Sequence, residues 1–198
     1  MNAWLAEAER VDHALYGAVA RADTPRLDVA MRRLSHAANY SRLSLAGAAL
    51  LSLAGVRGRR AAVSGLVAST TTAGVVNALV KPLGRRERPD RVRARVPLVR
   101  HVPMPASRSF PSGHTAAAVA FAAGVGRALP PARFPLYALA AAVGYSRVHT
   151  GVHYPGDVLA GAGLGLVVAE VTNELLTRRE PGASSGSDDA RAPEARWD

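Results

Sequence analysis

Five apolar stretches follow one another through most of this 198-residue chain, and they constrain the fold more than any other feature. Two of them, the second and the fifth, approach the ~20 residues that a helix needs to cross a bilayer. Shorter helices can also span with less tilt or by extending into flanking polar residues. A soluble helical core is the alternative, but we expect spanning helices. The stretches are Leu43–Val56, Ala61–Val80, Thr115–Leu129, Phe134–Val148 and Val158–Leu176.

The composition favours helices over strands. Hydrophobic residues make up 48% of the chain but aromatic residues only 5%, so small and aliphatic side chains supply most of the apolar surface. A chain of this length forms one domain with a sizeable core. Gly161 and Gly165 have the four-residue spacing that lets a neighbouring helix approach closely in lipid. We predict an all-α protein, an integral-membrane bundle of about five to six helices.

The two ends of the chain differ from this middle part. Residues 1–38 have mixed charge, apolar residues at helical spacing and a break at Thr24-Pro25, which together predict amphipathic helices. We expect their apolar residues, Leu5, Val11, Leu15 and Val19, to pack against the bundle; membrane-surface binding is the alternative. Residues 39–179 form the predicted membrane catalytic domain, and residues 180–198 have the composition of a disordered tail.

The formal net charge of +10 predicts an anionic partner. Arginine-rich surfaces attract either nucleic acid or the anionic head groups of lipids. The apolar stretches favour the lipid bilayer, and no nucleic-acid-binding motif is present, so we expect no nucleic acid as a partner. The chain contains no cysteine, which excludes disulfide bonds and thiol chemistry.

The only lysine of the chain, Lys81, opens the first of three polar blocks, Lys81-Pro-Leu-Gly-Arg-Arg-Glu-Arg88-Pro89. If the second stretch is a helix, Asn77 lies one turn before Lys81 on the same face, so both can reach one pocket. Pro89 keeps the backbone of Arg88 extended and helps to present its guanidinium. Basic residues that merely meet lipid head groups are the alternative.

The second block is Pro111-Ser112-Gly113-His114. Ser112 can cap the helix that follows, and Gly113 lets the backbone amides approach an anion closely, as in a phosphate cradle. A plain helix cap is the alternative. His114 adds what a cap does not need, a proton that can be transferred near neutral pH.

The third block runs from Ser146-Arg147 to His153-Tyr-Pro-Gly-Asp157. His153 and Asp157 are one helical turn apart, so the carboxylate can hold one ring nitrogen and leave the other free as a nucleophile. A metal pair of His149 and His153 is the alternative, but it lacks a clear fourth ligand. We therefore expect no metal and no cofactor.

In this order the three blocks resemble the signature of the type 2 phosphatidic acid phosphatase (PAP2) family, the lipid phosphate phosphatases. The resemblance spans residues 81–157 and implies a helical membrane bundle with its site at one membrane face. It further implies metal-independent hydrolysis of a phosphate monoester or diphosphate on a lipid through a phosphohistidine. Phosphatidic acid, phosphatidylglycerophosphate and isoprenyl diphosphates are the candidate substrates. The expected location is the bacterial cell membrane with an extracytoplasmic site.

The resemblance also implies a role for each matching residue. His153 is similar to the nucleophile of the family, Asp157 to the carboxylate that orients it, and His114 to the acid that protonates the leaving oxygen and later activates water. The residues that would bind the phosphoryl oxygens are Lys81, Arg88, Ser112, Gly113 and Arg147. With five spans, the three blocks fall on one side of the membrane and can meet.

Two other hypotheses remain at this point. Vanadate-dependent haloperoxidases resemble the same signature, although they are soluble and usually larger. A non-enzymatic protein that binds anionic lipids through its arginines is the second, and the complete set of His114, His153 and Asp157 argues against it. Four histidines, His13, His36, His101 and His149, are expected on the surface or in packing contacts, and we expect Glu170 to reach the membrane interface.

Overall fold

The computed structural model describes residues 3–178, in which the regular secondary structure is helical and no β-strand occurs. The all-α prediction is therefore confirmed, and the predicted tail at residues 180–198 lies outside the described residues. The helices are α1 (Ala3–Arg21), α2 (Pro25–Ala37), α3 (Arg42–Ser52), α4 (Gly55–Val75), α5 (Lys81–Leu83), α6 (Gly113–Ala128), α7 (Arg133–His149) and α8 (Pro155–Arg178).

One long helical rod carries Lys81 at its end. Helix α4 continues through a π-helical turn, Val76–Val80, into α5, so the rod Gly55–Leu83 has 29 residues and a length of about 43 Å. This rod and α8 are the two helices in the described part of the chain that are long and apolar enough to cross a membrane. Helices α6 and α7 have 16 and 17 residues.

The first apolar stretch is not a single helix. We predicted one over Leu43–Val56, but α3 ends at Ser52 and the chain turns at Gly55, whose φ of 76° is unfavourable for other residues. With 11 residues, α3 measures about 16 Å, which is half the thickness of the hydrocarbon core.

Helix α6 lies at the centre of the bundle and packs against α4, α7 and α8. The predicted close approach in the last helix is confirmed, because α8 contacts α6 through Gly161 and Gly165, two of its four glycines. A Cβ atom on Gly161 would lie 2.5 Å from the Ser112 carbonyl oxygen, and one on Gly165 would lie 2.4 Å from the Ala116 carbonyl oxygen. No larger residue fits there without moving α8 away from the start of α6, where the second polar block lies.

The amphipathic helices α1 and α2 are present, and α2 begins at Pro25 as predicted. The prediction that the apolar residues of α1 pack against the bundle is confirmed for Val19 and wrong for the other three. Leu5, Val11 and Leu15 are exposed, whereas the face that packs on the bundle contains Asp12, Tyr16 and Ala20. The physical reason is that Asp12 finds charged and amide partners in the bundle, so a carboxylate replaces the apolar stripe at this contact.

Candidate active site

The three polar blocks meet at one end of the bundle, as the predicted order of helices requires. A Cβ atom on Gly113, at the start of α6, would lie 3.8 Å from Lys81 Nζ at the end of the long rod. Arg88 Nη1 lies 3.3 Å from His153 Nε2 in the connection between α7 and α8. Residues far apart in sequence therefore form one polar site.

His153 and Asp157 form a buried pair at the start of α8, whose first residue is Pro155. His153 Nδ1 lies 3.4 Å from Asp157 Oδ2, and the exposed fractions of the two side chains are 1% and 0%. The same carboxylate oxygen accepts hydrogen bonds from the Ser109 hydroxyl and, at 2.9 Å, from the Tyr154 amide. This arrangement places the imidazole hydrogen on Nδ1 and leaves a lone pair on Nε2.

The guanidinium of Arg88 faces that lone pair. Its Nη1 donates to the Val152 carbonyl at 2.7 Å and lies 3.3 Å from His153 Nε2, which must accept because a guanidinium can only donate. Burial lowers the pKa of His153 to about 4; the hydrogen bond to Asp157 opposes this shift and the charge of Arg88 adds to it. The imidazole is therefore neutral at pH 7, the state that a nucleophile needs.

Lys81 and Arg88 converge on one loop residue. Lys81 Nζ donates to the Ser107 hydroxyl at 3.0 Å, and Arg88 Nε donates to the Ser107 carbonyl at 2.8 Å. Ser107 thereby holds Arg88 beside His153 and Lys81 beside Gly113, where the two cations can neutralise phosphoryl oxygens.

The third predicted cation, Arg147, is fully buried. Its Nη1 donates to the Ser35 hydroxyl at 2.6 Å and to the Ser35 carbonyl at 3.2 Å. Its Nε is buried and has no hydrogen-bond partner among residues 3–178. The charge of Arg147 also lowers the pKa of His153, which places the guanidinium within electrostatic reach of this histidine. A buried cation with an unused donor suits the binding of an anion.

The start of α6 combines a helix cap with free amides. The Ser112 hydroxyl lies 2.9 Å from the Thr115 hydroxyl and accepts from the Thr115 amide at 3.5 Å, so this side chain caps the helix. A direct contact of Ser112 with phosphate stays a prediction. The Ala116 amide makes the first hydrogen bond of the helix, to the Ser112 carbonyl, so the amides of Gly113 and His114 precede the hydrogen-bond ladder.

His114 lies where the polar site meets an apolar cavity. Its Nε2 is 3.0 Å from Asn39 Oδ1, in the turn between α2 and α3. The cavity has a volume of about 230 Å³ and is lined at its polar end by Lys81, Gly113 and His114. Asn77 lines it too, so Asn77 and Lys81 reach one pocket as expected. Most other lining residues are apolar and come from α3, α6 and α7, among them Leu43, Ala117, Phe121, Leu139 and Val143.

The remaining histidines make surface or packing contacts, as predicted. His149 is buried, with Nε2 2.8 Å from Asp28 and Nδ1 3.3 Å from the Tyr145 hydroxyl, so both nitrogens are engaged away from His153. No group of three or more His, Asp or Glu side chains within residues 3–178 is arranged to hold a metal ion. The others are His13, stacked on Tyr154 at 4.7 Å, exposed His36, and His101, bonded to a backbone carbonyl.

Sequence reasoning missed several polar partners of the predicted residues. Ser107 and Ser109 alternate in the segment just before the second block, and this polar alternation is a signal that could have identified them. Arg86 stands inside the first polar block, and this position is also a signal. Asp12, Ser35 and Asn39 carry no comparable signal, because each is an ordinary polar residue whose partner lies at least 70 positions away.

Known proteins resemble this chain in sequence and in fold. The sequence-family model of the PAP2 superfamily matches residues 62–180. Decaprenylphosphoryl-5-phosphoribose phosphatase from Mycobacterium tuberculosis is 35% identical over 158 residues, which cover 77% of this chain and 82% of that protein. A transmembrane PAP2 type phosphatidylglycerolphosphate phosphatase from Bacillus subtilis has a TM-score of 0.67 at 25% identity, covering 88% of this chain and 89% of that one. LpxE from Aquifex aeolicus has the same TM-score and identity, covering 81% of this chain and 93% of that one.

These likenesses confirm two expectations from the sequence, the helical membrane bundle and the phosphatase acting on lipid phosphates. They favour hydrolysis over the haloperoxidase and the non-enzymatic hypotheses. With a family model that matches more than half of its residues, the chain belongs to the PAP2 superfamily.

Proposed function

We propose that this protein releases inorganic phosphate from a membrane lipid through a phosphohistidine formed on His153. The observation that supports this most directly is the buried pair in which Asp157 holds Nδ1 of His153 while Nε2 faces Arg88 at 3.3 Å. A neutral imidazole with one nitrogen fixed and the other directed at a cation has the arrangement that in-line attack on phosphorus requires.

In the first step, Nε2 of His153 attacks the phosphorus atom and the bond from phosphorus to the lipid oxygen breaks. Lys81, Arg88 and Arg147 bind the phosphoryl oxygens together with the amide of Gly113, and Arg88 turns from Nε2 to the phosphate as the substrate enters. His114 takes up a proton as the anionic phosphate enters and gives this proton to the leaving oxygen, so the lipid departs as an alcohol or a monophosphate. The charge that develops on the imidazole is stabilised by Asp157.

In the second step, the deprotonated His114 removes a proton from a water molecule, whose oxygen attacks the phosphohistidine. The bond between phosphorus and Nε2 breaks, inorganic phosphate leaves, and both histidines return to their starting states. Asn39 accepts from Nε2 of His114 and keeps this ring turned toward the boundary between the site and the cavity.

The apolar cavity supports a lipid rather than a soluble phosphate as the substrate. Its polar end lies at Lys81 and His114, and its walls continue along α3, α6 and α7 with mainly apolar side chains. A hydrocarbon chain placed there would leave the phosphate beside His153. Since a relative of similar length acts on decaprenylphosphoryl-5-phosphoribose, we propose a phosphate on a long-chain isoprenoid lipid as the first substrate to test.

Phosphate release by the purified protein in detergent with excess EDTA tests this proposal. The substrate panel contains decaprenylphosphoryl-5-phosphoribose, phosphatidic acid, phosphatidylglycerophosphate and isoprenyl diphosphates. We expect turnover that resists EDTA and is lost in His153→Ala. Turnover that survives in His153→Ala would overturn the mechanism, and wild-type inactivity on every lipid would overturn the substrate class.

We also propose that the protein lies in the cell membrane with this site on the extracytoplasmic face. Arg59, Arg60 and Arg127 lie at the opposite end of the bundle and fit a cytoplasmic face, although the loop beside the site is rich in arginine as well. The cysteine-free sequence allows a direct test with single cysteines at two residues that are each 84% exposed. An impermeant maleimide should label Val92→Cys in intact cells and Leu53→Cys only after permeabilisation; the reverse pattern would overturn the orientation.

A further inference from the structure

The buried face of α1 delivers a carboxylate to the edge of the site. Asp12 Oδ2 accepts a hydrogen bond from Arg86 Nη2 at 2.6 Å, and Asp12 Oδ1 accepts from the Gly156 amide at 2.7 Å. Its side chain is only 11% exposed. A Cβ atom on Gly156 would lie 2.9 Å from Asp12 Oδ2, so a larger residue at this position would displace the Asp12 carboxylate. Helix α1 is thereby attached to the first turn of α8.

Arg86 connects Asp12 to the carboxylate of the catalytic pair. Its Nη1 donates to Asp157 Oδ1 at 3.1 Å, while Oδ2 of the same carboxylate faces His153. Its guanidinium also lies over the ring of Tyr154 at 4.1 Å. Burial alone would lower the pKa of Arg86, but the two carboxylates raise it above its ordinary value, so the cation persists. Arg86 thus belongs to a chain of alternating charges from α1 to the nucleophile.

We propose that Asp12 and Arg86 are positioning residues that fix the orientation and the effective charge of Asp157, which makes α1 part of the active site. This inference rests on the proposed role of Asp157 in activating His153. The bond from Arg86 holds Oδ1 of Asp157, so Oδ2 stays directed at His153 Nδ1. Asp12 shares the positive charge of Arg86, and Asp157 therefore keeps enough negative charge to stabilise the phosphorylated imidazole.

Neither residue lines the cavity beside His114, so the lipid does not require them for binding. Their loss should therefore slow the chemical step and leave substrate affinity nearly unchanged. We expect Arg86→Gln and Asp12→Asn each to lower kcat by roughly 10- to 100-fold, the effect of losing a hydrogen bond between charged groups. KM should stay within about twofold of the wild-type value.

Steady-state kinetics of both single variants and the double variant test the inference. Because the two residues act as one unit, the double variant should be no slower than Arg86→Gln. Glu7→Gln is the matched control, since Glu7 is another α1 carboxylate paired with an arginine but 60% exposed, and it should retain wild-type kinetics. If Asp12→Asn does not fold, Arg86→Lys, which keeps the charge but can bridge only one carboxylate well, should show a partial kcat loss.

The outcomes separate this inference from the proposed function. Wild-type kcat in a folded Arg86→Gln, beside an inactive His153→Ala, would overturn only the positioning role. Additive losses in the double variant, or a raised KM at unchanged kcat, would also overturn it, since they indicate a structural contribution of α1 alone. Activity that persists in His153→Ala would instead refute the proposed mechanism on which the inference rests.

Discussion

The molecule contains two buried pairs of histidine and aspartate. The pairs differ in the group that faces the second ring nitrogen of the histidine. His149 Nε2 is 2.8 Å from Asp28, and its Nδ1 faces the Tyr145 hydroxyl, an internal partner. In the second pair, His153 Nδ1 faces Asp157 at 3.4 Å. Its Nε2 faces Arg88, a half-buried cation that can turn toward an entering phosphate. A carboxylate beside a histidine therefore does not by itself identify a nucleophile. The group that faces the second ring nitrogen distinguishes the proposed nucleophile, His153, from His149.

The two carboxylates also differ in their cations. Asp28 forms an ion pair with Arg100 at 2.8 Å, and Arg100 is 1% exposed and bonds backbone carbonyls at the end of α1. Burial alone would raise the pKa of Asp28, but hydrogen bonds from His149 and Thr24 and the charge of Arg100 lower it. This pair joins α2 to α7 and to the segment between α5 and α6, so its role is structural, whereas the pair of His153 and Asp157 borders the proposed phosphate site.

The largest expected difference between the two pairs is in activity. His153→Asn should reduce phosphate release by roughly 10⁴-fold or more, because it removes the nucleophile itself. His149→Gln keeps a polar group of similar size and should retain turnover within about tenfold. Initial rates of phosphate release by the two folded variants test this difference. Similar losses of activity in both variants would contradict the distinction between the two pairs.

Stability should show the reverse pattern. Asp28→Asn leaves the buried cation of Arg100 without its carboxylate, and we expect a loss of about 3–5 kcal/mol in the free energy of unfolding. Glu170→Gln is the control, because its pair with Arg127 is exposed on both sides and should contribute less than about 1 kcal/mol. Thermal unfolding in detergent measures both variants, and equal melting temperatures would contradict a structural role for Asp28.

The comparison shows what sequence can predict here. The composition and the apolar stretches were enough to predict an all-α membrane bundle, and the order of the three blocks among them predicted that Lys81, Arg88, His114 and His153 lie at one end. The spacing of His153 and Asp157 was informative because both lie within one helical turn. Local periodicity thus predicts contacts that a single helix or one short connection determines.

Contacts between distant segments could not be predicted in this way. The apolar spacing of α1 suggested that Val11 and Leu15 pack inward, yet Asp12 is buried because Arg86 and the Gly156 amide receive it. Asn39 and Ser35 similarly depend on partners 75 and 112 positions away. A polar residue on a helix is buried or exposed according to such partners, which only the tertiary structure supplies.

The titration of His153 is a third way to test the comparison. With a pKa of about 4, instead of its ordinary 6.5, His153 should remain neutral at pH 5.5 and become protonated only near pH 4. Because the folded-state pKa is the lower one, the stability tied to neutral His153 is complete above pH 6.5 and is lost as the pH falls toward 4. NMR of labelled histidine in detergent, assigned with His153→Asn, measures the midpoint, and a value near 6.5 would contradict a buried neutral nucleophile.

The smallest expected effect concerns the hydroxyl of Ser109, which donates to the same oxygen of Asp157 as His153 does. In Ser109→Ala this oxygen keeps the bonds from His153 and from the Tyr154 amide, so the carboxylate should stay in place but be held less firmly. We expect kcat to fall roughly 5- to 10-fold with an unchanged KM, the effect of one lost hydrogen bond. Thr172→Val is the matched control in the same helix as Asp157, because its buried hydroxyl bonds only the Val168 carbonyl. Equal kinetics in the two variants would mean that Asp157 needs no help from Ser109, and that Arg86 and the Tyr154 amide alone distinguish it from Asp28.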